Sequence, residues 1–165
     1  MDIAERITSI VNRLELQPHP EGGFFRETYR CNEQFVPTGA EEIRNVSTAI
    51  YFLLTRDNFS AFHRIKSDEV WHHYLGDALE IHMITPAGEY ELAKVGKRMD
   101  HGEMPQFVVP AGTWFASRVV DGGSFGLAGC TVAPGFDFSD FELANAAELI
   151  RAYPRYSDII QKLTR

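Results

Sequence analysis

The sequence predicts a mainly β fold, a barrel or sandwich flanked by short helices, on three observations. A series of short β-branched, aromatic and aliphatic runs extends from Gly23 to Ala133, separated mostly by Gly, Pro or Asp turns. Helical periodicity occurs only near the two ends, with Ile3, Ile7, Ile10, Val11 and Leu14 in the first stripe and Leu143, Ala144, Ala147, Leu149 and Ile150 in the last. No internal repeat, low-complexity tract or linker breaks the series, so alternating βα units are excluded in favour of a barrel.

In order, the first helix ends at Pro18 and Pro20, and a strand entered through Gly22-Gly23 runs to Arg30. The polar stretch from Pro37 to Arg44 is a loop. Val46 to Leu54 is a strand too uniformly apolar to reveal which side faces inward. Further strands are expected at Ser60 to Ile65, Glu69 to Leu75, Leu79 to Thr85, Tyr90 to Lys94, Gln106 to Val109, Thr113 to Val119 and Phe125 to Ala133. Asp140 is the expected cap of one terminal helix, and Pro154 opens another that carries Ile159, Ile160 and Leu163.

A length of 165 residues suits a single domain, with the barrel over about 22–135 and helices over about 2–15 and 140–164. With 44% hydrophobic and 24% charged residues, the composition is that of an ordinary globular chain. Acidic residues outnumber basic ones, 23 to 16, and the net charge of -7 works against a sequence-independent grip on nucleic acid. No apolar run approaches the ~20 residues that cross a bilayer, and the first residues lack the pattern of a secretory signal. A cytoplasmic protein with neither nucleic-acid nor membrane partners is expected. Cys31 and Cys130 are too few for a disulfide framework, and the apolar neighbourhood of Cys130 marks a buried structural thiol.

The segment from His63 to Gly76 carries the densest chemistry. Strand alternation puts Glu69, Trp71 and His73 on one face and Val70, His72 and Tyr74 on the other, unless a bulge intervenes. An imidazole and a carboxylate within reach bind a metal, relay a proton or hold a polar ligand. The competing explanation is a buried His–Glu pair that only stabilises the barrel. Candidate catalytic residues are therefore His63, Glu69 and His73, with Glu69 orienting His63. Trp71, His72, Gln106, Trp114, Phe115 and Tyr51 are candidate ligand contacts: the aromatic rings for stacking at the barrel mouth, Gln106 as an inward polar group. His19 and His101 read as loop residues and His82 as a packed core histidine. Arg26 and Glu27 must point to opposite faces of their strand. The stretch from Cys130 to Phe141 reads as structural closure or a subunit interface rather than chemistry.

At these residues the chain resembles the cupin superfamily. His63, Glu69 and Gly76 fall into register with its first motif, with Ile65 where a second His belongs; Gly102, Pro110 and Gly112 match the second motif loosely, with Phe115 in its last His position. A closer resemblance, covering nearly the whole chain, is to a cupin branch of unknown function. It rests on Pro18-His19-Pro20-Glu21-Gly22-Gly23, Ser67-Asp68-Glu69-Val70-Trp71-His72, Val109-Pro110-Ala111-Gly112-Thr113-Trp114 and the stretch from Cys130 to Phe138 followed by Asp140-Phe141-Glu142. The resemblance implies a double-stranded β-helix, the cupin jelly-roll barrel, commonly a homodimer and similar to the metal-independent deoxysugar-nucleotide epimerases, which use a His base and a Tyr acid. It places the base at His63 and leaves the acid open among Tyr29, Tyr51 and Tyr74.

The function expected is that of a small-molecule-binding cupin, an isomerase or epimerase acting on a sugar-like ligand through His63 and needing no cofactor. The alternatives are a metal-dependent cupin such as a dioxygenase, with a divalent metal on His63, Glu69 and His73, and a non-catalytic ligand sensor.

Overall fold

The computed structural model describes residues 2–165. Helix α1 (Ile3–Arg13) opens with a capping box: the Asp2 side chain accepts from the Glu5 backbone N–H at 2.8 Å and Glu5 reciprocates on the Asp2 N–H at 2.9 Å. Thirteen strands follow: β1 (Gln17–Pro18), β2 (Phe24–Arg30), β3 (Gln34–Phe35), β4 (Arg44–Asn45), β5 (Thr48–Thr55), β6 (Ser60–Arg64), β7 (Asp68–Gly76), β8 (Leu79–Ile84), β9 (Tyr90–Val95), β10 (Gln106–Val109), β11 (Trp114–Val119), β12 (Phe125–Ala133) and β13 (Glu142–Leu143). Helices α2 (Ala146–Ala152) and α3 (Ser157–Lys162) complete the chain.

Two antiparallel sheets face each other, one in the order β1-β2-β5-β12-β7-β10 and the other β13-β6-β11-β8-β9; β3 and β4 form a separate hairpin. Adjacent strands are mostly distant in sequence, as in a jelly roll. Phe52, Leu54, Trp71, Leu79, Ile81, Met83, Phe115 and Ala128 fill the space between the sheets. Helix α1 lays Ile7, Ile10, Val11 and Leu14 over Leu53, Phe125 and Leu127 on the outside of the larger sheet. Helices α2 and α3 cover Phe62, Ile84 and Ala116 on the outside of the smaller one. Each sheet therefore buries apolar side chains on both faces, which explains why β5 reads as a continuous apolar run with no legible parity.

The expected strands are present with ends shifted by one or two residues, and the two-residue strands β1, β3, β4 and β13 are additional. Pro18 ends no helix: α1 already stops at Arg13, and Pro18 pairs with Phe24 in β1, an edge strand, where a missing N–H is harmless. Asp140 caps no helix either. Arg44 grips its carboxylate with Nε at 2.7 Å and Nη2 at 2.8 Å, and α2 is capped instead by Asn145, which accepts from the Glu148 N–H at 3.1 Å.

The β1–β2 turn decides where the neighbouring side chains go. His19 N–H donates to the Gly23 carbonyl at 2.9 Å, Gly22 N–H to the His19 carbonyl at 3.0 Å, and the Glu21 carbonyl accepts from Ala61 N–H at 2.8 Å, tying the turn to β6. Gly22 and Gly23 have φ of 109° and 79°, and a Cβ on Gly22 would land on the Phe59 carbonyl oxygen. Gly22→Ala is expected to cost about 2–4 kcal/mol, through left-handed strain and the forced displacement of Phe59. The change would appear as a lower denaturant midpoint at unchanged slope; an unaltered midpoint would show that the turn accommodates a side chain.

Candidate active site

At one end of the barrel a cavity of about 290 Å³ opens between the sheets. Four polar side chains reach it from separate elements: His19 and Glu21 from the β1–β2 turn, His63 from β6 and Glu69 from β7. Their apolar surroundings are Phe25, Ile50, Ile65, Cys130 and Val132, and Phe136, Phe138 and Phe141 from the segment after β12. Glu27, Arg30, Thr48 and Asp137 complete the lining.

The centre of the site is an ion pair between Glu21 Oε2 and His63 Nε2 at 2.8 Å, with both side chains almost wholly buried. The other ring nitrogen, Nδ1, lies 2.7 Å from the Ala61 carbonyl oxygen, an acceptor only, so Nδ1 carries a proton. Burial by itself would lower the His63 pKa. The Glu21 charge and hydrogen bond, helped by Glu69 and the Ala61 carbonyl, outweigh it and raise the pKa above the ordinary imidazole value. Burial would likewise raise Glu21, but His63 holds it below the ordinary carboxylate value. The pair is therefore imidazolium and carboxylate, and the ring rests between Phe115, 4.1 Å away between centroids, and Phe141, stacked at 5.3 Å.

His19 is the neutral member. Its Nδ1 accepts from the Glu21 backbone N–H at 3.1 Å, and burial, only partly opposed by Glu21, lowers its pKa. Glu69 is in the opposite condition. Burial pushes its carboxyl up to about 7 against the attraction of His63; Glu21 adds repulsion and the Cys130 thiol gives a weak hydrogen bond. Near neutral pH, Glu69 thus exchanges a proton readily while facing an open space.

The sequence reading makes Glu69 the partner that orients His63; the structure gives that position to Glu21. It also leaves His63 without a free lone pair toward the cavity, because both ring nitrogens face acceptors. His73 lies on the inward side of β7 but two pleats farther along, its Nε2 3.1 Å from the Asp77 carbonyl oxygen. A bulge opposite Leu127 and Ala128 separates it from Leu75.

Trp71 is 1% exposed and packs edge-on against Phe52 and Phe115 in the core, so it forms no wall of the cavity. Phe115 contacts the site only through the His63 ring. Gln106 points outward rather than inward: it stands opposite His72 on the outer face, with Nε2 3.2 Å from His72 Nδ1, and His72 Nε2 meets Thr131 Oγ1 at 3.2 Å. Trp114 faces away from the barrel interior under the Arg64 guanidinium. Tyr51 packs beneath α1 and meets Tyr74 edge-on at 6.1 Å, and Tyr29 is exposed, so none of the three tyrosines lines the cavity. His82 is buried and bonded to Glu80 and Tyr90, as a packed histidine should be.

Two segments carry more than the sequence suggests. His19 and Glu21, in the Pro-flanked turn, supply two of the polar side chains that line the cavity. The stretch from Cys130 to Phe141 supplies much of the wall, held in place by Arg44 on Asp140 and by Arg30 Nη2 on the Phe136 carbonyl at 3.0 Å. An acidic residue beside two glycines was the available signal for the first. For the second it was the alternation of Phe136, Phe138 and Phe141 with polar residues.

The donors do not fit the divalent metal of the metal-dependent alternative. His63 is engaged at both nitrogens, His73 is remote, and among the described residues no group of three or more His, Cys, Asp or Glu side chains is arranged to hold a metal ion.

Glu69 links the site to stability. Its carboxyl titrates near 7 in the fold against an ordinary 4.5, so the folded state binds more protons between those values. The contribution is fully present below 4.5 and is lost as pH rises through 7. Glu69→Gln is therefore expected to be more stable than the parent at pH 8, by up to about 3 kcal/mol, with the gap closing toward pH 4.5. Denaturant unfolding across that range measures it, and a gap independent of pH contradicts the assignment.

Comparison with known proteins agrees with this architecture. Residues 8–144 match the family described as Cupin superfamily (DUF985). The uncharacterised protein YML079W of Saccharomyces cerevisiae is 33% identical over 147 residues, covering 81% of this chain and 73% of its own. A hypothetical protein from Leishmania major has 35% identity and a TM-score of 0.90 over 95% of this chain and 97% of its own. Protein SO0799 from Shewanella oneidensis has 43% identity and a TM-score of 0.87 over 95% and 96%. Oxalate decarboxylase OxdC of Bacillus subtilis, at 14% identity and a TM-score of 0.56 over 90% of this chain and 37% of its own, shares the fold alone. Sheet order and the family match over residues 8–144 together make this chain a member of the cupin superfamily, in its DUF985 family.

Proposed function

We propose that this cupin binds a small polar, sugar-like ligand at the barrel mouth and moves a proton on it, as a metal-independent isomerase or epimerase does. The observation that carries the reading is Glu69: a buried carboxyl, poised between its two protonation states, facing a cavity of ligand size opposite a fixed positive charge. The His63 imidazolium, held by Glu21 and Ala61, is a preorganised charge for an oxyanion developing on the ligand. Ionised Glu69 takes a proton from a carbon next to a carbonyl. The C–H electron pair moves into an enolate whose oxygen faces the imidazolium, and the same proton, or one exchanged with solvent, returns to carbon. His63 thus acts as the electrostatic partner and Glu69 as the base.

The test is incubation with a panel of aldoses, ketoses and 2-hydroxy ketones in D₂O, read by NMR and mass spectrometry. Deuterium is expected at a carbon beside the carbonyl, with at least a 100-fold slower rate in Glu69→Gln. Saturable binding without deuterium exchange would instead favour the sensor alternative, and equal exchange by Glu69→Gln would remove Glu69 from the chemistry.

A homodimer belongs to the same proposal. The outer face of the larger sheet, beyond α1, exposes Tyr29, Tyr74, Leu75 and Val108. Light scattering is expected to give twice the chain mass, and Val108→Glu to give the single-chain mass. A parent that scatters as one chain counts against it.

A further inference from the structure

The charges around the cavity are matched unevenly, and the imbalance has a sign. Arg30 is committed: it pairs with Glu27, its Nη1 donates to Asn45 Oδ1 at 3.0 Å, and its Nη2 donates to the Phe136 carbonyl at 3.0 Å. Arg44 is committed to Asp140 and the His63 imidazolium to Glu21. His19 is neutral. Two carboxyl groups lack a contacting cation. Asp137 accepts hydrogen bonds from Ser139, through N–H at 2.9 Å and Oγ at 2.7 Å, and Arg44 and Arg30 act on its charge only from a distance. Glu69 is more than nine-tenths buried, lines the cavity, and has the weak Cys130 thiol as its hydrogen-bond partner.

The rest of the wall is aromatic. The His19 ring lies 4.5 Å from Phe25 and 6.2 Å from Phe138; Phe136, Phe138 and Phe141 lie 4.9 to 6.3 Å from one another, mostly edge to face. Ring faces carry negative potential and favour a cation beside them. A phosphate or carboxylate would find no unmatched positive group here. Beside a neutral ring, burial keeps part of Glu69 protonated near neutral pH. An ammonium group stabilises the ionised carboxylate instead.

We propose that the ligand of this cavity is a single-ring compound bearing a protonated amine, its ammonium recognised by Glu69 and Asp137 and its ring carbons by Phe25, Phe136, Phe138 and Phe141. The inference rests on the reading of the cavity as a ligand site and adds the ligand's charge and size. About 290 Å³ accommodates one ring with its substituents, at the lower edge of small-molecule pockets, and leaves no room for a nucleotide. The groups that bear on Glu69 are His63 from β6, Glu21 from the β1–β2 turn and Cys130 from β12, with Glu27 and Arg30 of β2 and Asp137 also on the lining. Because the ammonium prefers ionised Glu69, amine affinity is expected to increase as pH rises from 6 to 8.

Three probes of one shape test this on the full chain: cyclohexylamine, cyclohexanol and cyclohexanecarboxylate, titrated at pH 6 and pH 8 and followed by amide chemical shifts. The expected result is saturable binding of the amine at pH 8, at least tenfold tighter than the alcohol, with shifts confined to cavity residues and no saturable shift from the carboxylate. Glu69→Gln is expected to reduce the amine to the level of the alcohol. Asp137→Asn, at the rim, is expected to weaken the amine alone, which preserves the test if Glu69→Gln fails to fold. Equal or tighter binding of the alcohol or the carboxylate overturns the ammonium proposal while leaving the cavity a ligand site. No cavity shift from any probe overturns both.

Discussion

Glu21 and His63 meet at 2.8 Å inside the barrel mouth, and much of the site follows from the need to keep that pair together. Burying either charge alone would be costly, and mutual attraction compensates only when geometry and additional hydrogen bonds are in place. The structure provides both. Ala61 acts twice, its carbonyl taking the second imidazole proton while its N–H binds the Glu21 carbonyl, so one residue of β6 fixes both partners. The Gly22-Gly23 turn then has no freedom, because only glycine permits the chain to bend so close to Phe59.

The pair in turn determines the state of its neighbours. Burial is the largest influence on Glu69; His63 attracts its charge and Glu21 repels it, and the Glu69 proton is loosely held near neutral pH. Two carboxyl groups in one cavity thus take opposite roles, one ionised and structural, one mobile and chemical, because only one of them contacts a cation. Burial keeps His19 neutral, with the His63 charge acting in the same direction and Glu21 opposing it.

The fold was readable because strand and turn signals are local. Runs such as Phe125 to Ala133 and Gln106 to Val109 carry their own boundaries. His63 and Glu69 were legible as neighbours for the same reason, being joined by one short connection. Glu21 was not, since it is 42 residues before His63 in the chain and approaches it only because β1 and β2 extend the larger sheet at its edge. Trp71 and Trp114 were misjudged in one common way. Alternation shows that two faces exist, but with helices covering both sheets it does not show which apolar or aromatic residue meets a cavity and which meets a helix or the core.

By itself the amino-acid order determined the barrel class, the helices confined to its ends and the presence of imidazole and carboxyl groups on adjoining strands, because backbone propensity, periodicity and turn chemistry act over a few residues. The tertiary structure decided which carboxylate pairs with His63, that the chain after β12 walls the cavity, and that Glu69 is left to exchange its proton. Those outcomes depend on distances between residues far apart in the chain and on burial, and electrostatic energies respond to both far more steeply than to sequence spacing.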